Sequence, residues 1–257
     1  MKQLAKEEQS NQQEMDWTGH LGELRRRFFW SFIVFALSFG VGFYFRQEVY
    51  LYVANDVPFQ LSVLSPFDII WVYVIIGTIV GLLVTIPFLA FQLWLFIKPG
   101  LTKHEARVSL LYVPSIFILF ALGLGFGYFI IKDLVLNFLL GLSDGIVNEM
   151  FTVNKYFRFI MQITVPFAFF FEVPLVAMFL TSLGVISPQF MKKTRKYAYL
   201  ILVILGTMLS PPDFILQLIV AAPLIVLYEL AIIMSGFVYK RRMKKLVALQ
   251  KSIEEDD

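Results

Sequence analysis

The amino-acid sequence predicts an all-α, polytopic membrane protein with six transmembrane helices and both termini in the cytoplasm. Of its 257 residues, 58% are hydrophobic and 16% are charged, and the mean hydropathy is +0.74. A soluble domain of this length could not bury so much apolar surface. The apolar residues fall into six runs, and most basic residues lie between alternate runs. Composition, segmentation and charge distribution together predict the fold class.

The first four apolar runs are long enough to cross a bilayer, for which a helix needs about 20 residues. They cover residues 28–45, 69–97, 108–131 and 159–186, with outer segments at 46–68 and 132–158. We expect the long second run to tilt, to kink at Pro87 or to protrude from the membrane. Just before it, Ser65-Pro66-Phe67-Asp68 predicts a turn in which Asp68 caps the second helix.

The last two apolar runs are shorter. Residues 197–209 would form a helix of about 20 Å, less than the hydrocarbon thickness of about 30 Å. Ser210-Pro211-Pro212-Asp213 then predicts a turn, with Asp213 placed to cap the next helix. That helix reaches a charge at Glu229. We therefore expect the fifth and sixth helices to be short and to form a hairpin.

Lysine and arginine are divided unequally between the two sides of the predicted membrane. The four segments assigned to the cytoplasm contain Lys2, Lys6, Arg25, Arg26, Arg27, Lys98, Lys103, Arg107, Lys192, Lys193, Arg195, Lys196, Lys240, Arg241, Arg242, Lys244, Lys245 and Lys251. Only Arg46, Lys132, Lys155 and Arg158 lie elsewhere. Because basic loops stay in the cytoplasm, six spans with both termini inside are predicted.

The same boundaries predict three regions. Residues 1–18 form a polar cytoplasmic tail that we expect to be disordered, residues 19–239 form the six-helix transmembrane domain, and residues 240–257 form a charged cytoplasmic tail. Within the second and third spans, two GxxxG pairs favour close helix packing inside the protein over a dimerisation face. These pairs are Gly77/Gly81 and Gly123/Gly127.

The composition argues against an enzyme. The chain has no cysteine, and its two histidines, His20 and His104, fit no usual zinc spacing. Residues 141–145 match the G-x-S-x-G spacing, but both histidines are predicted on the opposite side of the membrane from Ser143. No Gly-rich phosphate loop is present in the sequence. We therefore expect no catalytic residues, no metal and no cofactor.

Acidic residues near the predicted cytoplasmic surface are candidate binding groups. Glu23 lies one helical turn before Arg27, so the two can simply pair within a juxtamembrane collar. Glu105 completes a Thr-x-x-Glu capping box that begins at Thr102, and this role alone would explain it. Two acids at one surface could also bind paired guanidinium groups through bidentate hydrogen bonds. Spacing alone leaves both interpretations open.

Glu172 lies near the middle of the fourth span. A carboxyl group at this depth is costly and is by default functional, facing a cavity, a partner or a polar ligand. We expect it to be protonated, or hydrogen-bonded to groups freed near Pro166 and Pro174. A packed neutral acid that only fixes the bundle is the alternative.

Five motifs, in order along the six spans, carry a resemblance to a known family. They are His20-Leu21-Gly22-Glu23-Leu24-Arg25, Ser65-Pro66-Phe67, Phe96-Ile97-Lys98-Pro99 with Lys103-His104-Glu105, Phe171-Glu172-Val173-Pro174, and Pro211-Pro212-Asp213 with Gln217. The chain resembles TatC, the multispanning receptor of the twin-arginine protein translocase. The match excludes both polar tails, and Ser210 stands where the family commonly has threonine.

The resemblance implies a receptor in the cell membrane that binds twin-arginine signal peptides of folded precursors. It implies TatA-type and possibly TatB-type single-span partners, self-association in a multimeric complex, transport driven by the proton-motive force, and no nucleic acid. The implied signal-peptide residues are Glu23, Glu105, Arg25 and Phe96, the intramembrane acid is Glu172, and the partner groove at the fifth helix includes Ser210, Asp213 and Gln217.

Two alternatives belong to other functional classes. A proton-coupled small-solute transporter would use Glu172 as its proton carrier, but the sequence shows no inverted repeat of broken helices. A scaffold protein would account for the spans but not for the paired cytoplasmic acids.

Overall fold

The computed structural model describes residues 2–57, 59–98, 110, 112–143, 150–209 and 213–255, with side chains from Gly22 to Lys244. In this part of the chain the named elements are all helical. They are α1 (Lys2–Tyr44), α2 (Arg46–Ala54), α3 (Pro66–Ile97), α4 (Tyr112–Phe126), a π-helical turn (Gly127–Ile131), α5 (Lys132–Ser143), α6 (Val153–Leu183), α7 (Pro188–Lys193), α8 (Arg195–Leu209) and α9 (Phe214–Glu255). The predicted all-α class is confirmed.

Five helical segments within the described residues are long and apolar enough to cross a membrane. They are Gly22–Tyr44, Pro66–Ile97, Tyr112–Leu142, Val153–Leu183 and Phe214–Lys244. Helix α8 has 15 residues, about 22 Å, so the fifth helix is short as predicted. A sixth span and the orientation of the termini therefore stay predictions.

The sixth helix is longer than predicted. Helix α9 continues through Glu229 to Glu255, a total of 42 residues. Glu229 does not end the helix because Arg195 and Tyr199 on α8 bind its carboxylate. Arg195 Nη2 lies 2.6 Å from Oε2 and the Tyr199 hydroxyl donates to Oε1 at 2.5 Å. A carboxylate paired in this way is compatible with a continuing helix.

The third helix is also longer than its apolar run. The prediction that it ends at Ile131 was wrong, because α5 continues the helix from Lys132 to Ser143. Helix α6 likewise begins at Val153, six residues before the predicted start. Lys132 is only 1% exposed and pairs with Asp56, so its charge does not terminate the helix.

Helix α6 is the centre of the bundle and contacts α3, α4, the π-helical turn, α5 and α9. Its contacts with α4 and with the π-helical turn are close at one glycine of each. A Cβ at Gly123 would lie 2.6 Å from Ala168 Cα, and one at Gly127 would lie 2.7 Å from Thr164 Cα. The other pair, Gly77 and Gly81, similarly accepts the rings of Phe39 and Phe35 from α1. The predicted packing role of both GxxxG pairs is confirmed.

The predicted cap before the second span exists, but Ser65 rather than Asp68 occupies the N-cap position. Ser65 is the N-cap of α3, and Asp68 Oδ2 accepts a hydrogen bond from the Ser65 backbone N–H at 3.0 Å, which forms a capping box. Asp68 therefore caps the helix from its third position. The helix runs through Pro87 to Ile97.

Helix α1 begins at Lys2, which differs from the disordered tail predicted for residues 1–18. The first 18 residues contain no proline or glycine and are rich in strong helix formers such as Leu, Ala, Glu, Gln and Lys. Helix α9 similarly continues through most of the predicted tail at 240–257. The division into two cytoplasmic tails and one transmembrane domain at 19–239 stays a prediction.

Candidate functional site

The first part of the candidate site is an ion pair on α1 that also reaches α3. Arg27 Nε donates to Glu23 Oε1 at 3.2 Å, and Nη2 contacts the same oxygen. Arg27 Nη1 donates to the backbone oxygen of Gln92 at 3.2 Å and to its Oε1 at 3.3 Å. The Glu23 side chain is 36% exposed and that of Arg27 is 16% exposed. The predicted i,i+4 pair therefore exists, with the carboxylate on the more open side.

The contact between Arg27 and Gln92 fixes which helix ends meet. Glu23 lies one turn before Arg27, and Phe96 lies one turn after Gln92 on the antiparallel α3. Glu23 and the half-buried Phe96 are thus at the same end of the bundle. Glu105, the other predicted acid, and its proposed capping box lie outside the described residues.

Arg25 borders an apolar cavity on the exposed side of α1. The cavity has a volume of about 480 Å³, and the residues that line it are Leu24, Arg25, Phe28, Phe29 and Phe32. Arg25 and Arg26 are exposed, unlike Arg27. An acid, exposed arginines and an apolar cavity therefore occupy about two turns of one helix.

The second part of the candidate site is Glu172 on α6, which is 9% exposed. Neither carboxylate oxygen has a hydrogen-bond partner among the described residues. The structure thus gives no sign of the predicted hydrogen bonds near Pro166 and Pro174, since α6 runs continuously through both prolines. Glu172 lies about 6 Å from the midpoint of the helix, close to the predicted depth. Both oxygens are buried and leave their hydrogen-bonding capacity unused within these residues.

The third part is the junction between α8 and α9. Asp213 Oδ1 accepts hydrogen bonds from Ile215 N at 2.8 Å and Leu216 N at 3.1 Å, so the predicted cap is confirmed. Gln217 lies one turn later and is half-buried. Ser210, the third predicted partner residue here, lies outside the described residues.

The family assignment follows from a comparison with known proteins. A sequence model described as Sec-independent protein translocase protein (TatC) matches residues 19–223 of this chain. The chain belongs to the TatC family. This match includes all five motifs in full, and the last of them, Pro211-Pro212-Asp213 with Gln217, ends six residues before the match does.

Two translocase proteins of Bacillus subtilis are similar to this chain along almost its whole length. Identity to Sec-independent protein translocase protein TatCd of Bacillus subtilis is 43%, over 93% of this chain and 98% of that protein. Identity to TatCy of the same organism is 34%, over 91% of this chain and 94% of that protein. A crystal structure of the twin-arginine translocase receptor TatC superposes with a TM-score of 0.76 at 33% identity, covering 85% of this chain and 99% of that one.

TatC membership identifies the chain as a membrane-embedded component of the Sec-independent, twin-arginine protein translocase, so it serves protein transport. This is a family of translocase components, and the small-solute transporter alternative is not favoured. In the part of the chain that the structure describes, no group of three or more His, Asp or Glu residues could hold a metal ion.

Sequence reasoning missed a polar cluster around a buried lysine of this TatC-family chain. Lys132 Nζ contacts Asp56 Oδ2, lies 3.0 Å from Asp133 Oδ1 and sits 4.3 Å from the centre of the Tyr128 ring. The Tyr128 hydroxyl donates to Asp56 Oδ2 at 3.0 Å. Lys132 was counted only as an outer-loop charge, and no local pattern marks its burial, because Asp56 lies 76 residues earlier in the chain.

The cluster also determines the ionisation of Asp56. Burial by itself would raise the pKa of the Asp56 carboxyl, but the hydrogen bonds from Lys132 and Tyr128, with the charge of Lys132, hold that pKa below its ordinary value. The pair therefore ties the segment after α2 to the helix formed by α4 and α5.

Proposed function

We propose that this chain is the receptor of the twin-arginine translocase. It binds the twin-arginine signal peptides of folded precursor proteins at its cytoplasmic face and assembles TatA-type, and in some bacteria TatB-type, partners. Export is driven by the proton-motive force. The observation that carries this proposal is the guanidinium of Arg27 on Glu23, because it supports a role for this carboxylate as a guanidinium acceptor.

The position of Glu23 supports recognition of a basic peptide at the cytoplasmic surface. It lies in the first turn of the first candidate span, Gly22–Tyr44, next to arginines that favour the cytoplasm. Signal peptides place an apolar stretch after a basic segment, and the cavity beside Arg25 offers apolar walls one turn away from Glu23. Phe96 at the same end and Glu105 complete the proposed binding residues.

Partner binding is proposed at two places, Glu172 within the bundle and the surface formed by α8 and the start of α9. Helix α8 exposes an apolar stripe at Leu200, Ile201, Ile204 and Met208, which suits contact with a single-span helix. Ser210 follows the last residue of α8 in the sequence, and Asp213 and Gln217 come after it. The unpaired carboxyl of Glu172 supports a role as a polar anchor for a partner helix or an inserted signal segment. The chain is proposed to act in the cell membrane, in a complex with several copies of itself.

Peptide binding tests the proposed function directly. The purified chain in detergent should retain a signal peptide that carries Arg-Arg and release the matched peptide that carries Lys-Lys. An arginine pair can make bidentate bonds with two carboxylates, whereas lysine provides only point charges. A pull-down with both peptides measures the difference, and equal retention of the two would contradict a twin-arginine receptor.

A substitution of Glu172 tests the proposed anchor. Glu172→Ala should reduce crosslinking to TatA-type partners severalfold, because a partner's polar group then loses its acceptor in the membrane. Binding of the Arg-Arg peptide should stay within twofold of wild type. Gln162→Ala is the matched control, since Gln162 is an exposed polar residue on the same helix. Unchanged crosslinking in Glu172→Ala would assign Glu172 to packing alone.

A further inference from the structure

Arg27 differs from its two arginine neighbours in a way that membrane anchoring does not explain. Arg25 and Arg26 are exposed, as expected for charges that hold a helix at the membrane surface. The Arg27 side chain is only 16% exposed. Burying a guanidinium is costly unless its donors are satisfied. The acceptors that bind Arg27 therefore need to be identified.

The guanidinium of Arg27 divides its donors between two acceptors. Its Nε and Nη2 atoms face Glu23 Oε1, while Nη1 faces the backbone oxygen and Oε1 of Gln92. The planar fork of arginine permits both contacts at once. If Glu23 is withdrawn, Arg27 loses its anionic partner, but its Nη1 keeps two neutral acceptors on Gln92.

The bond on Glu23 is chemically the bond that a signal-peptide arginine would make. Building on the proposed function, we infer that Arg27 is an internal competitor, which occupies Glu23 in the empty receptor and is displaced by the arginine of the signal peptide. The exchange replaces one guanidinium by another on the same carboxylate. The bond that Arg27 loses offsets part of the bond that the peptide gains, so the occupied state lowers the apparent affinity of the receptor for every peptide that needs Glu23.

Whether removal of Arg27 raises or lowers the affinity for the peptide distinguishes a competitor from a residue that holds Glu23 in position. If Arg27 only held Glu23 in position, its removal would weaken peptide binding. If Arg27 competes, its removal strengthens peptide binding, because Glu23 is then no longer occupied by Arg27 in any fraction of the receptor. We expect Arg27→Gln to raise the affinity for the Arg-Arg peptide about three- to tenfold, which corresponds to a pair of modest strength.

The matched control is Arg26→Gln. It removes the same charge from the neighbouring exposed position. A less basic surface repels a cationic peptide less, and this variant measures how much that general effect raises the affinity. The affinity of the purified chain for a fluorescent Arg-Arg peptide is measured by anisotropy for wild type and both variants. A gain in Arg27→Gln that exceeds the gain in Arg26→Gln supports the competitor. An equal gain, no gain or a loss overturns it.

Gln92→Leu provides a second test that keeps both Glu23 and Arg27. Gln92 Oε1 accepts from Arg27 while Glu23 is paired, and it remains an acceptor once a peptide takes Glu23. Its removal should cost the displaced state more than the paired state, so peptide affinity should fall, opposite to the effect of Arg27→Gln. Unchanged or higher affinity would contradict the transfer of Arg27 to Gln92. A wild-type chain that does not prefer Arg-Arg over Lys-Lys would refute the proposed function itself. A wild-type preference without these shifts would refute only the competitor.

Discussion

A Glu23→Gln variant should insert and fold like the wild type but bind a twin-arginine signal peptide at least tenfold more weakly. Glutamine keeps the size and the hydrogen-bonding oxygen of Glu23 and removes only its charge. A hydrogen bond to a charged group contributes about 1.5–3 kcal/mol, which corresponds to a tenfold or larger change in affinity. Arg27 also loses its ionic partner in this variant, although Gln92 still accepts from its Nη1.

The measurement is a titration of the detergent-solubilised chain with a labelled Arg-Arg peptide. Glu48→Gln is the matched control, since it makes the same substitution at an exposed residue of α2, after the opposite end of α1. It should leave the affinity unchanged. Normal affinity in a stably inserted Glu23→Gln variant would reduce Glu23 to a partner of Arg27.

Glu105→Gln makes the same test for the second proposed acid. A capping-box glutamate needs only to accept a backbone hydrogen bond, which glutamine does nearly as well. A receptor for arginine needs the charge. Loss of peptide binding in a folded Glu105→Gln variant therefore assigns Glu105 to recognition, and full binding assigns it to the cap alone.

The second large effect is expected at the buried lysine. Asp56→Ala should destabilise the folded chain by about 2–3 kcal/mol, because Lys132 is 1% exposed and loses its closest acceptor. This loss is smaller than for a fully buried pair, since the Asp56 side chain is 42% exposed. Thermal unfolding in detergent measures it. In the control Asp133→Ala, Lys132 keeps Asp56, so the loss should be smaller, and equal losses would contradict a dominant role for Asp56.

The same pair predicts a pH dependence. The pKa of Asp56 is lowered from 3.8 in the folded chain, so the folded state favours its ionised form. The stability from this pair is complete above the ordinary pKa and is lost as the pH falls through the lowered value. The difference in unfolding temperature between wild type and Asp56→Ala should therefore be constant from about pH 5 to 8 and shrink below about pH 4.

Features that depend on local sequence were predictable. The caps at Ser65–Asp68 and Asp213 follow from side chains that bond to backbone groups two to four residues away. The short α8 followed from an apolar run that ends at Ser210-Pro211-Pro212. The depth of Glu172 followed equally from counting residues along a helix.

Features that depend on a distant partner were not predictable. Lys132 and Glu229 were both taken as ends of apolar runs, because a charge in isolation is costly within a membrane. Asp56 lies 76 residues before Lys132 and Arg195 lies 34 residues before Glu229, and only the packed bundle brings each pair together. The contact of Arg27 with Gln92 likewise joins two helices that no local pattern relates.

As the predicted fifth span, the short helix α8 would also affect the lipids beside it. Its length of about 22 Å is roughly 8 Å less than the usual hydrocarbon thickness, and acyl chains that compress to match it store a fraction of a kcal/mol per ångström. This elastic energy is held by the bilayer rather than by the protein. A longer helix packed against α8 would let the acyl chains relax, so the bilayer itself would favour the proposed binding of a partner to this side of the bundle.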